Sequence, residues 1–246
     1  MAGAMPVGKG FAIFDKTAYF IGSLKIPAAS LRFPQTIGDS RLMERYLRIR
    51  HLLVSPRQTW QTIAEAHTSG VETLGWVALP LLVLSRFAEA LGLSVFKQND
   101  PLLGAVKMPW SSSLAEAGMA VVATVLILLA GAFLIQWVAP FFSGKRNFFN
   151  ALCLVVYAYS PRWIMGVLAL FPALNLVSGF IGWVFMVYLL WMGLPILMEH
   201  PMSQNKVYLL VCVLLLGGLQ FLLETLGVGA LMVAFGLDAA DWSQTL

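Results

Sequence analysis

Residues 144–201 hold two long apolar runs, 148–174 and 176–198, with almost nothing polar between them. About 20 helical residues cross a hydrocarbon core of ~30 Å, so each run is long enough to span a bilayer. The connection near Asn175 leaves room only for a tight turn. The segment is therefore expected to form a transmembrane helical hairpin, with its closed end on one side and both feet on the other. Lys145 and Arg146 mark the entry foot; Glu199, His200 and Lys206 mark the exit. The first of the two runs is interrupted at its middle by Tyr157, Tyr159, Ser160, Pro161 and Arg162.

Nothing else in the chain offsets this apolar character. Hydrophobic residues make up 59% and charged residues 11%, with a mean hydropathy of +0.79. Those values exclude an ordinary soluble domain. A membrane β-barrel would show alternating segments of about ten residues, whereas these runs are continuous. The expected fold class is an all-α polytopic membrane protein with five transmembrane helices, preceded by amphipathic cytoplasmic helices. The remaining spans fall near 74–93, 117–137 and 207–226.

The positive charge sets topology. Nine Lys and Arg precede the first span, two lie between the second and third, and one lies between the fourth and fifth. All twelve share one side; only Lys97 and Lys107 lie on the other. The positive-inside rule then puts the amino terminus in the cytoplasm and the carboxyl terminus outside or in a lumen. No nucleic-acid partner is expected from the net charge of +4.

Outside the spans, residues 1–52 read as an amino-terminal arm. Phe11, Phe14, Tyr19 and Phe20 are too apolar for a solvated tail, yet Asp15, Lys16 and Lys25 prevent a span or a clean signal-peptide core. The stretch is expected to lie at the interface or bind a partner; a partly disordered terminus is the alternative. A helix over 41–54 places Leu42, Tyr46, Ile49 and Leu53 on one stripe and Arg41, Arg45, Arg48 and Arg50 around it. Such a basic amphipathic helix suits the surface of anionic phospholipid. Ser55, Pro56 and Gln58 form a helix-start signal of the capping-box type, with Trp60 and Ile63 facing one way beyond it. Residues 227–246 are expected to form a short interfacial tail.

Four charges fall inside spans: Arg86, Glu89, Arg162 and Glu224. Each costs about 2.5–3.5 kcal/mol on insertion scales, so each is expected to seek a partner inside the bundle. Arg162 or Arg86 is expected to pair with Glu89 or Glu224, tying the first, third and fifth spans together. The rival expectation is that these groups line an ion or solute path. Pro80 and Pro161 should kink their helices and each free a backbone carbonyl; Ser160, Tyr157 or Tyr159 can supply a substitute donor beside Pro161.

No catalytic constellation is evident. His51, His67 and His200 lack metal-ligand spacing, and there is neither a phosphate-cradling glycine loop nor a serine nucleophile elbow. All five aspartates lie outside the spans, against an intramembrane aspartyl protease. Cys153 and Cys212 sit in apolar runs and read as small buried side chains. The expectation is a protein that is not an enzyme and has no cofactor and no metal.

Three motifs in order carry a family resemblance. They are Leu53-Val54-Ser55-Pro56-Arg57-Gln58-Thr59-Trp60, then Gly144-Lys145-Arg146-Asn147-Phe148 leading into Tyr157-Ala158-Tyr159-Ser160-Pro161, and finally 188–198 with Pro201 and Lys206 beyond. Over residues 53–226 the chain resembles the YIP family of Ypt/Rab-interacting membrane proteins and its bacterial branch. The resemblance implies five spans, a cytoplasmic amino terminus and an external or lumenal carboxyl terminus. Eukaryotic members bind Rab-type GTPases in vesicle traffic; that binding is not carried over to this chain. The expected role is a scaffold, adaptor or accessory subunit that binds other membrane proteins in a bacterial inner membrane. The alternatives are a small transporter or permease-like protein, or a lipid-organising, membrane-shaping protein.

Overall fold

The computed structural model describes residues 39–66, 70–96, 98–100, 104–106 and 108–234. Phe11, Phe14, Tyr19 and Phe20 lie outside the described residues, as do the side chains of Arg41 and Arg45. Two helices, α1 (Asp39–Val54) and α2 (Pro56–Glu65), precede five that are long and apolar enough to cross a membrane. These are α3 (Gly70–Val95), α4 (Trp110–Phe142), α5 (Phe148–Leu170), α6 (Pro172–Leu197) and α7 (Met202–Leu231). The all-α, five-span architecture is the one expected.

The middle span is the axis of the bundle. Every residue from Ala151 to Pro161 is buried, so α5 is enclosed all round, as a helix apolar on every face can be. It pairs along its length with α6 as a hairpin, and α3 and α4 pack on its other sides. The turn differs from expectation. It falls at Phe171, whose N–H bonds to Leu168 O at 3.0 Å, and Asn175 already lies inside α6. Pro172 fixes this boundary, because a proline without an N–H fits the first turn of a helix.

The helix-interior prolines have their freed carbonyls answered; for Pro195 in α6, Asn205 Nδ2 donates to Trp191 O at 3.0 Å. Pro161 cannot donate to Tyr157 O, and the neighbouring Ser160 hydroxyl donates there instead at 2.7 Å. Pro80 cannot donate to Trp76 O, and the Tyr46 hydroxyl of α1 donates there at 3.1 Å. A π-helical turn, Leu74–Ala78, precedes Pro80 and widens the helix around its ring.

At the end of the bundle that carries α1 and α2, Trp60 is fully buried and meets Tyr157 edge-on at 6.3 Å. Trp60 and Ile63 thus dock on the spans. Gly193 makes this possible: a Cβ there would lie 2.8 Å from the Trp60 ring and 2.5 Å from Leu154. Lys145 N–H bonds to Met198 O at 2.8 Å, and its side chain pairs with Glu199, which joins the two feet of the hairpin.

Four local expectations are corrected. Ser55 does not cap α2 with its side chain; its hydroxyl points back to His51 O at 3.4 Å, because only one residue separates the two helices. The buried stripe of α1 runs through Ile49 and Leu52, which join the core of the bundle, while Leu53 is exposed. The loop after α3 contains a small antiparallel hairpin, β1 (Gln98–Asp100) with β2 (Gly104–Val106). The first part of the expected carboxyl-terminal tail is helix that continues the fifth span, through Gly229–Ala234, and the tail beyond 234 lies outside the described residues.

A candidate intramembrane polar site

The four charges expected inside the spans come together. Arg86 of α3 donates through Nη1 to Glu89 Oε2 at 3.0 Å, one helical turn on. Through Nη2 it donates to Glu224 Oε1 of α7 at 2.5 Å and reaches Thr124 Oγ1 of α4 at 3.4 Å. Arg162 of α5 donates to Gln220 Oε1 at 2.6 Å, and its other terminal nitrogen lies 4.0 Å from Glu224 Oε2. Gln220 in turn donates to Glu224 Oε2 at 2.8 Å. The first, third and fifth spans are thereby joined, and Thr124 brings in the second.

Glu224 is the hub. One oxygen receives Arg86 and Thr124, the latter at 2.8 Å, and the other receives Gln220 and the more distant Arg162. Two guanidiniums and two carboxylates balance in formal charge. That balance is what a low-dielectric interior demands, since an unpaired buried charge is far costlier than a paired one. Glu224 reaches this position from a π-helical segment, Phe221–Val228, whose wider turn alters the phase of α7.

The cluster borders a polar cavity of about 80 Å³, lined from all five spans. Ser85, Arg86 and Glu89 come from α3, Thr124 from α4, Tyr159, Arg162 and Trp163 from α5, Asn175 and Ser178 from α6, and Gln220 and Glu224 from α7. A water needs about 10–15 Å³, so the space holds several. Tyr159 lines this cavity, is 2% exposed, and its hydroxyl has no hydrogen-bond partner among the described residues. Gly182 lets α6 approach closely, since a Cβ there would meet Arg162 Cα at 2.8 Å.

Other singled-out residues lie elsewhere. Arg48 is half-buried and Arg50 exposed on α1. Glu116 lines a small recess with Arg86 and Glu89. Cys153 and Cys212 are buried in the core, the Cys153 sulfur 3.7 Å from Thr73 Oγ1. Among the described residues no group of three His, Cys, Asp or Glu gathers to hold a metal ion. Thr124, Tyr159, Asn175 and Ser178 escaped the reading of charges; the signal for Thr124 was a lone polar residue deep in the most apolar span.

No curated protein and no solved structure matches the chain. The model of the Yip1 domain does, over residues 50–223, which begins within α1 and ends one residue before Glu224. A multi-pass membrane chain whose five spans fall almost entirely within that match, well over half its length, belongs to the Yip1 family.

Proposed function

We propose that this protein is a non-enzymatic scaffold, adaptor or accessory subunit of a larger membrane complex. It sits in a bacterial inner membrane with its amino terminus cytoplasmic and its carboxyl terminus periplasmic. The asymmetry of burial among the spans supports this reading most. The most apolar window of α5 is 67% buried within the chain and that of α7 only 12%. Yet α7 is held firmly, by Glu224 at one level and by Tyr208, whose hydroxyl donates to Ile135 O at 2.9 Å, at another. A fixed span with one covered edge offers a membrane-long apolar face to another protein. Gly217 and Gly218 are exposed on it, and small residues favour close approach of a second helix. The twelve-to-two bias of basic residues supports the orientation.

The test is gentle detergent extraction from native membranes, native sizing, and mass spectrometry of what co-purifies. A stoichiometric partner lost on deleting residues 1–40 supports the subunit role and gives the arm its task. A monodisperse particle without a partner overturns it. A second reading, a small transporter, draws on the cavity being lined by all five spans. It requires that Ser178→Cys react with a membrane-impermeant thiol reagent; protection from both sides removes it.

A further inference from the structure

The polar cavity is not sealed. Arg162, Asn175 and Gly179 also line an open groove of about 630 Å³, completed by Leu176, Phe180 and Trp183. That falls in the range of about 300–1,000 Å³ typical of ligand sites. The groove wall faces outward, with Leu176 85% exposed and Phe180 66%. An apolar trough on the membrane-facing surface thus runs into a polar cavity in which Arg86, Arg162 and Tyr159 stand with Glu89 and Glu224.

Two groups at the junction lack what they need. Arg162 is the less neutralised of the two guanidiniums: among the described residues its hydrogen bond goes to a neutral amide oxygen, and its nearest carboxylate is 4.0 Å away and already held by Arg86 and Gln220. The Tyr159 hydroxyl is buried and has no hydrogen-bond partner among the described residues. Both fit an oxygen-rich anion. The depth suits a headgroup. Asn175 lies three residues into α6, about 5 Å from its start, and the long Arg162 side chain rises to the same cavity from about 12 Å below the end of α5.

We infer that this junction binds an anionic phospholipid, its phosphate on Arg162 and Tyr159 and one acyl chain along Leu176, Phe180 and Trp183. A net-negative lipid satisfies Arg162 without bringing a cation, and the two carboxylates that line the cavity, Glu89 and Glu224, are already paired with Arg86. The site is independent of the adaptor role.

The full-length chain is purified from an equal mixture of phosphatidylglycerol and phosphatidylcholine, and retained lipid is quantified by mass spectrometry. Both lipids carry the phosphate, so the readout is the choline cation: beside the incompletely neutralised Arg162 it is disfavoured, and phosphatidylglycerol should be enriched roughly tenfold. R162Q should abolish the enrichment and Y159F reduce it about threefold or more. Because R162Q also touches the ion cluster, G179W decides if that variant fails to fold. Gly179 is exposed on α6 and a Cβ there meets nothing within 4 Å, so an indole at this position narrows the groove while every charged side chain of the cluster is retained. Loss of enrichment in G179W supports the site. Equal retention of both lipids by the native chain, enrichment that survives G179W, or full displacement by inorganic phosphate overturns it.

Discussion

Arg86 and Glu224 stand 138 residues apart in the chain and meet at 2.5 Å inside the bundle. This contact fixes the last span to the first, and it is the shortest of the links that converge on Glu224. Removing one partner of a buried ion pair costs about 3–5 kcal/mol, because the other charge is left behind. R86E should therefore destabilise the protein by at least that much in a detergent melt. The double exchange R86E with E224R should recover part of the loss. Arg162, whose carboxylate lies at 4.0 Å, should cost less when neutralised. Equal losses for Arg86 and Arg162, or no recovery in the exchange, would remove Glu224 as the hub.

The Ser160 hydroxyl stands in for the N–H that Pro161 lacks, and this makes an unusual prediction. S160A removes the hydroxyl that donates to Tyr157 O in the core and should cost about 0.5–1.5 kcal/mol. P161A restores an N–H that can reach the same carbonyl. The double variant S160A/P161A should thus be more stable than S160A alone. Thermal unfolding in detergent of the four proteins of this cycle is the check; additive losses would show that the hydroxyl has another role.

Much of this was legible in the sequence, for a definite reason. Spans are long, uniform and bounded by charge, so composition alone finds α3 to α7. The intramembrane charges were legible too, since the cost of each unpaired charge predicts a partner. What escaped was phase. Glu224 meets Arg86 from a π-helical segment, and no 3.6-residue pattern anticipates where such a segment falls. The turn at Phe171 escaped because Phe171, Pro172 and Asn175 offer competing boundaries within five residues, and only packing against α3 decides among them. Tyr159 looked like part of a span interruption; its unpartnered hydroxyl is visible only once the cavity exists.

Trp60 is seated against Gly193, and its seat leaves no room for a methyl group. A Cβ at that position would stand 2.5 Å from Leu154 and 2.8 Å from the indole. G193V must displace α2 or strain α6, at about 1–3 kcal/mol for overpacking. Arg57 is already exposed on α2, but its backbone is held in helix; loosened α2 should free that backbone, so limited trypsin digestion should cut there several-fold faster than in the native protein. W60A in the G193V background should relieve the clash, making the double variant no less stable than W60A alone.

His200 supplies a pH dependence outside the spans. Its Nδ1 lies 3.1 Å from Pro201 O, and its ring meets Tyr208 edge-on at 5.0 Å. Nε2 is buried and has no hydrogen-bond partner among the described residues. Burial lowers the imidazole pKa below its ordinary value, only partly opposed by the Pro201 carbonyl and the Asn205 side chain. In the unfolded chain the same group titrates near its reference value of about 6.5. As pH falls through that value the unfolded state takes up a proton that the folded state resists, so stability drops from about pH 7 downward until the lower folded pKa is passed. Above pH 7 both states hold neutral imidazole and the contribution is flat. Melting temperatures between pH 5 and 8 should show this slope in the native protein and a shallower one in H200Q. Matching slopes would mean that other groups carry the acid sensitivity and that the His200 ring is free to charge where it sits.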